Sequence, residues 1–165
     1  MNSHMTEDTF DIVRDRKDMR EILFVGNINI KRQRDGAKVP ARSTRGSLLD
    51  VFAAEEVLIT SGEVQKVGTG FSFELPVDWM MDIRPRGSLS FNKITIVNSP
   101  GTLDYDYRGE FFVFLHNQGK KGYWVKKGNK IAQINFLPIP RVTFTLVDEL
   151  SETERGSGHL GSTGQ

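Results

Sequence analysis

The stretch Ile94–Leu115, ITIVNSPGTLDYDYRGEFFVFL, sets the reading of the whole chain. Its two ends, Ile94 to Val97 and Phe111 to Leu115, are short runs of β-branched and aromatic residues, the composition of strands. Between them, Gly101 to Glu110 crowds three carboxylates, two phenols and a guanidinium around two glycines. Polar groups this dense at a strand end mark either a hairpin turn or a site.

Outward from that stretch the same pattern repeats. Ile22 to Ile30 alternates apolar and polar around Gly26, and Val57 to Ile59, Phe71 to Leu75, Ile131 to Leu137 and Val142 to Val147 read as further strands. Gly, Pro, Asn or Asp fill most of the gaps. Pro138 and Pro140 end one run, because proline cannot donate to a ladder. Many short strands predict an all-β chain, a sandwich or a jelly-roll-like β-barrel, with at most one or two short helices. Ser88 to Asn92 could form a single helical turn, and no internal repeat is visible. Residues 1–21 read as a charged N-terminal extension, in which Met1-Asn2-Ser3-His4 has the look of a cloning remnant. Residues 22–150 form the expected β-barrel domain. From about Ser151 the composition turns to Glu, Gly, Ser and Thr. That arm, 151–165, cannot build a core and is expected to be flexible on its own.

Bulk properties narrow the function. A chain of 165 residues is one domain by its length, with 22 basic against 21 acidic side chains and a net charge of +1. That balance carries no global signature for nucleic acid or a membrane surface, so any anion site must be local. There is no cysteine, which excludes disulfides and thiolate chemistry. His4, His116 and His159 lack metal-ligand spacing. No apolar run approaches a membrane span, and the N-terminus lacks a secretory pattern.

Five segments carry chemistry. Thr44 to Ala54, TRGSLLDVFAA, delivers Asp50 into a strand. Arg84 to Ser90, RPRGSLS, puts Arg86 beside a Gly-Ser turn, a fork of donors with a hydroxyl and exposed backbone N–H groups that suits a polyphosphate. Asn98 stands six residues before Asp104, and Tyr107 three after it. Gly128 to Ile134, GNKIAQI, carries Gln133. Arg155 to Gly164, RGSGHLGSTG, combines an arginine, hydroxyls and glycines that let backbone N–H groups curl around phosphate oxygens. Each alone reads equally as a turn, a strand entry or a linker.

Together, and in this order, the segments resemble the five motifs of the trimeric dUTPases, over Thr44 to Gly164. The resemblance implies hydrolysis of dUTP to dUMP and pyrophosphate by a Mg²⁺-assisted attack of water on the α-phosphate, limiting uracil in DNA and supplying dUMP. Asp104 is then the catalytic base. Asn98 reads uracil, whose ring N–H and carbonyls complement an amide, and Tyr107 packs on the deoxyribose and leaves no room for a 2′-hydroxyl. Asp50 stands in the outer shell of the metal, through water, with no direct protein ligand expected. Arg86, Gln133, Arg155, Ser162 and Thr163 serve the phosphates. Arg108 and Glu110 are expected in structural ion pairs.

The chain departs from the family pattern at several places. The family's serine after the arginine is Gly87 here, with Ser88 next, so either the Ser88 hydroxyl or the Gly87 N–H takes the phosphate contact. The family's stacking phenylalanine is Leu160, preceded by His159, and either could cap the base. Asn129 and Lys130 replace an Asp-Arg pair, which reads as a lost structural ion pair. The resemblance further implies a homotrimer with shared sites, the arm closing over a neighbour's site, and a cytoplasmic protein that binds neither nucleic acid nor membrane. Two rivals are a dCTP deaminase of the same fold and a dUTP-responsive regulatory binding protein.

Overall fold

The computed structural model describes residues 27–43, 46–153 and 155–157. The expected N-terminal extension and the start of the Ile22 to Ile30 run lie outside them, as do Thr44, His159, Leu160, Ser162 and Thr163. The described chain is all-β with a single short helix. The order is β1 (Asn29–Arg32), β2 (Ala41–Arg42), β3 (Leu49–Phe52), β4 (Val57–Ile59), β5 (Val64–Gly68), β6 (Phe71–Glu74), β7 (Trp79–Arg84), α1 (Gly87–Phe91), β8 (Ile94–Ile96), β9 (Gly101–Leu103), β10 (Phe112–Asn117), β11 (Tyr123–Val125) and β12 (Lys130–Pro138). All pairings are antiparallel: β1 with β6, β11 with β4, β5-β10-β8, and a five-stranded sheet β2-β3-β12-β7-β9.

The core lies between these sheets and is built from alternate strand positions. Phe71, Phe111, Ile59, Met81 and Ile134 are among its buried side chains. Phe73 and Phe111 meet edge to face at 5.9 Å, and burial of such a ring is worth about 1.5–3 kcal/mol. The Phe111 backbone also ties sheets together. Its N–H donates to Phe71 O at 2.8 Å, and its carbonyl accepts from the Thr69 N–H and hydroxyl.

Two sequence expectations need correction. Val142 to Val147 is not a strand: among the described residues it has no strand partner, and Phe144 is 96% and Leu146 100% exposed. Its alternation is real, but no sheet edge of its own chain receives it. Arg141 pins the base of this segment to Asp78 through two hydrogen bonds of 2.8 and 2.6 Å. Conversely, β7 is a central strand that the alternation rule misses. Met80, Met81 and Asp82 break the pattern, because Met81, Asp82 and Ile83 are all buried.

Candidate active site

The turn after β9 builds the first half of the site. The Tyr107 N–H donates to Asp104 O, and Arg108 donates from Nη1 to Tyr105 O (2.6 Å) and Tyr107 O (3.2 Å), which closes the turn on itself. The Tyr107 hydroxyl donates to Glu110 O at 3.0 Å. Gly109 permits that pose, since a Cβ there would lie 2.3 Å from the Tyr107 oxygen. Glu110 anchors the segment from behind. Its Oε1 accepts from the Gly70 N–H (2.9 Å) and from Arg34 Nε (2.8 Å), while Arg34 also binds Glu55 at 2.8 Å. Burial pushes the Glu55 carboxyl up, but the Gly68 N–H and Arg34 outweigh it and hold it below the usual carboxylate range. Arg108 approaches Glu74 at 4.0 Å, so both expected ion pairs exist within one chain.

This scaffold brings Asn98, Asp104 and Tyr107 onto one cavity of about 270 Å³. Its apolar wall comes from Ile83, Leu103, Phe111, Phe112 and Phe114. The last two are one side of a strand with period 2, a signal present in the Phe111 to Phe114 run and not assigned a role from sequence. Asp104 is exposed at the rim.

A second cluster assembles from β3, β12 and the entry to α1. Asp50 opposes Gln133 across the β3–β12 ladder, and Gln133 opposes Arg84 across β12–β7. Gln133 Nε2 donates to Asp50 Oδ1 at 3.2 Å, Arg86 Nε lies 3.2 Å from the same oxygen, and Lys130 Nζ lies 2.7 Å from Oδ2. Asp50 is 2% exposed. Burial pushes its carboxyl up, but Lys130, Gln133 and the Arg86 charge prevail and hold it below the ordinary range. Arg86, Ser88, Asn129 and Lys130 line a cavity of about 380 Å³ over this cluster. Lys130 pairs with Asp50 rather than with its neighbour, and the Asn129 amide oxygen accepts from the Lys126 N–H. A Cβ on Gly87 would meet nothing within 4 Å.

Both Asp50 oxygens are occupied, and two cations already face them. Among the described residues no group of three or more His, Cys, Asp or Glu could hold a metal.

The two halves do not meet within one chain. Asn98, Asp104 and Tyr107 line one cavity and Arg86, Ser88 and Lys130 another, and the two share no lining residue. From β3 to β9 there are three strand spacings of ~4.8 Å, about 14 Å.

A family model described as dUTPase matches residues 35–164, the span that holds both halves. The chain belongs to the dUTPase family. It is 41% identical over 140 residues to the deoxyuridine 5'-triphosphate nucleotidohydrolase of Nautilia profundicola, covering 84% of this chain and 99% of that one. The enzyme of the same name from Clostridium acetobutylicum is 43% identical over 140 residues, at 84% and 97% coverage. Among solved structures, the dUTPase of Staphylococcus bacteriophage 80alpha with dUpNHpp shares the fold at a TM-score of 0.76 and 22% identity, covering 85% of this chain and 99% of that one. The dUTPase of phage phi11 of S. aureus, which coordinates a structural Mg(II) ion, gives 0.70 at 19% identity, with 77% and 100% coverage. The dUTPase-motif positions Asn98, Asp104 and Tyr107 thus share one cavity, and Asp50, Arg86 and Gln133 share one cluster. Arg155 lies in an exposed bend.

Proposed function

We propose that this chain hydrolyses dUTP to dUMP and pyrophosphate. The observation that carries the reading is the convergence of Asn98, Asp104 and Tyr107 on one pocket with an apolar wall. An amide pairs with the uracil edge as both donor and acceptor, and cytosine would leave those groups unpaired. The Tyr107 ring, held by its bond to Glu110 O, leaves a deoxyribose room and crowds a 2′-hydroxyl. Asp104 takes a proton from a water whose oxygen attacks the α-phosphorus. The bond from that phosphorus to the α–β bridging oxygen breaks, and pyrophosphate leaves. Arg86, Gln133 and Ser88, joined by Arg155, Ser162 and Thr163 of the arm, stabilise the charge that builds on the leaving phosphates. Leu160 or His159 caps the base. Magnesium enters as part of the substrate, bound to the triphosphate and its waters.

Because pocket and cradle are separate cavities with no shared lining residue in one chain, we further propose that the working site joins the pocket of one copy to the cradle of another in a homotrimer. The exposed, alternating Val142 to Val147 segment, with its apolar side chains uncovered, supports close association between copies. The reading carries with it a cytoplasmic protein that meets its substrate in solution. Among the described residues no helix is long and apolar enough to cross a membrane.

The test is pyrophosphate release from dUTP, dCTP, dTTP and UTP, with and without magnesium. dUTP should lead by orders of magnitude, and Tyr107→Ala should narrow the gap to UTP specifically. Ammonia release from dCTP would favour the deaminase reading instead. Binding of dUTP without turnover would favour a regulatory one.

A further inference from the structure

We propose that Lys130 binds the terminal phosphates of the nucleoside triphosphate and that Asp50 is the positioning residue that aims it. This deepens the dUTP reading above and rests on it.

Lys130 is tied by charge to a buried carboxylate. The Asp50 side chain is 3% exposed, whereas the Lys130 side chain is 41% exposed and the Arg86 side chain 24%. The ammonium is therefore held at one end by a buried anion and open at the other. An ammonium carries three donors. One is taken by Asp50 Oδ2 at 2.7 Å, leaving two to face the cavity of about 380 Å³ that Lys130 shares with Arg86 and Ser88. One carboxylate against two cations, −1 + 1 + 1, leaves this cluster at +1. Lys130 and Arg86 both line the cavity, so the surplus is presented to it. The Arg86 Nε is buried 3.2 Å from Asp50 Oδ1 without a hydrogen bond among the described residues, while the Arg86 side chain as a whole, 24% exposed, lines the cavity. A polyanion in the cavity would complete this arrangement. A neutral ligand would not.

A purely structural Lys130 would only neutralise Asp50, and its loss would weaken the fold and every ligand alike. A phosphate-binding Lys130 predicts a loss that grows with phosphate number. Calorimetry with dUMP, dUDP and the imido analogue dUpNHpp, in magnesium and in EDTA, separates the two. In Lys130→Met, dUMP affinity should stay within about twofold, while that for the imido analogue should fall about 10–100-fold, the scale of a charged hydrogen bond. Lys130→Arg should recover most of it. Should Lys130→Met not fold, Lys130→Gln, which keeps a donor for Asp50, carries the same comparison. Equal losses for dUMP and the analogue, or no loss for either, overturn the assignment. If the unaltered protein binds none of the three ligands, the dUTP reading itself fails. If it binds them and only the variant result is flat, that reading stands and Lys130 alone is removed.

Discussion

The pocket and the cradle solve opposite problems with similar residues. In the pocket, Asp104 stands exposed at a rim, and the turn that carries it is braced from behind by Arg34, Glu55 and Glu110. In the cradle, Asp50 is the brace, buried and faced by Lys130, Gln133 and Arg86, and the cations are what face outward. A carboxylate left open is suited to accept a proton from water. A carboxylate closed in by cations is suited to hold them still. The same side chain thus takes a chemical role in one region and a positioning role in the other, decided by exposure and partners.

Variants of the two carboxylates should separate accordingly. Asp104→Asn keeps the shape of the pocket and removes the base, so kcat should drop by ~10²–10⁴ while the imido analogue still binds, as read by turnover and calorimetry. Near-normal turnover would place the base elsewhere. A smaller effect, about 10–10³ in kcat, is expected for Ser88→Ala, the loss of one transition-state donor from the cradle. A silent Ser88→Ala would hand the contact to the Gly87 N–H. The smallest effect is on stability. The Asp50 carboxyl lies below its ordinary value of 3.8 in the fold, so its contribution is present above that value and is lost as pH falls through the depressed one. Melting temperatures of the parent should therefore fall more steeply than those of Asp50→Asn as the solution is acidified below about pH 4, and Asp50→Asn should be the less stable of the two at pH 7. Parallel curves would mean that Asp50 is not charge-coupled to its neighbours.

The pocket was legible in the sequence because its polar members are neighbours: Asn98, Asp104 and Tyr107 lie in the two turns that flank the short strand β9. The strands around it were legible for a related reason, since Val57–Ile59, Phe71–Glu74, Ile94–Ile96 and Phe112–Asn117 each announce themselves in a few residues. The cradle was legible only in its separate parts. Asp50 and Lys130 are eighty positions apart, and their contact depends on the β3–β12 register, including the irregularity between Lys130 and Ala132. No local pattern encodes that, so the lysine read as the remnant of a missing pair. β7 was missed because Asp82 is buried where alternation expects an apolar residue, with Arg84 Nε 2.5 Å away as its partner. Val142 to Val147 failed in the other direction, since strand propensity was present and a pairing edge was not.

The claim that pocket and cradle serve one reaction from two copies is open to a direct measurement. Asp104→Asn spoils only the pocket, and Arg86→Gln only the cradle, and each protein alone should be nearly inactive. Assembled together in equal amounts, a cradle from the first variant can meet a pocket from the second. Pyrophosphate release from dUTP should then return to roughly a quarter of the parent rate, since the two halves of each site are drawn independently in a symmetric assembly. A mixture no more active than its two components would show that both halves act within a single chain, and would contradict the account.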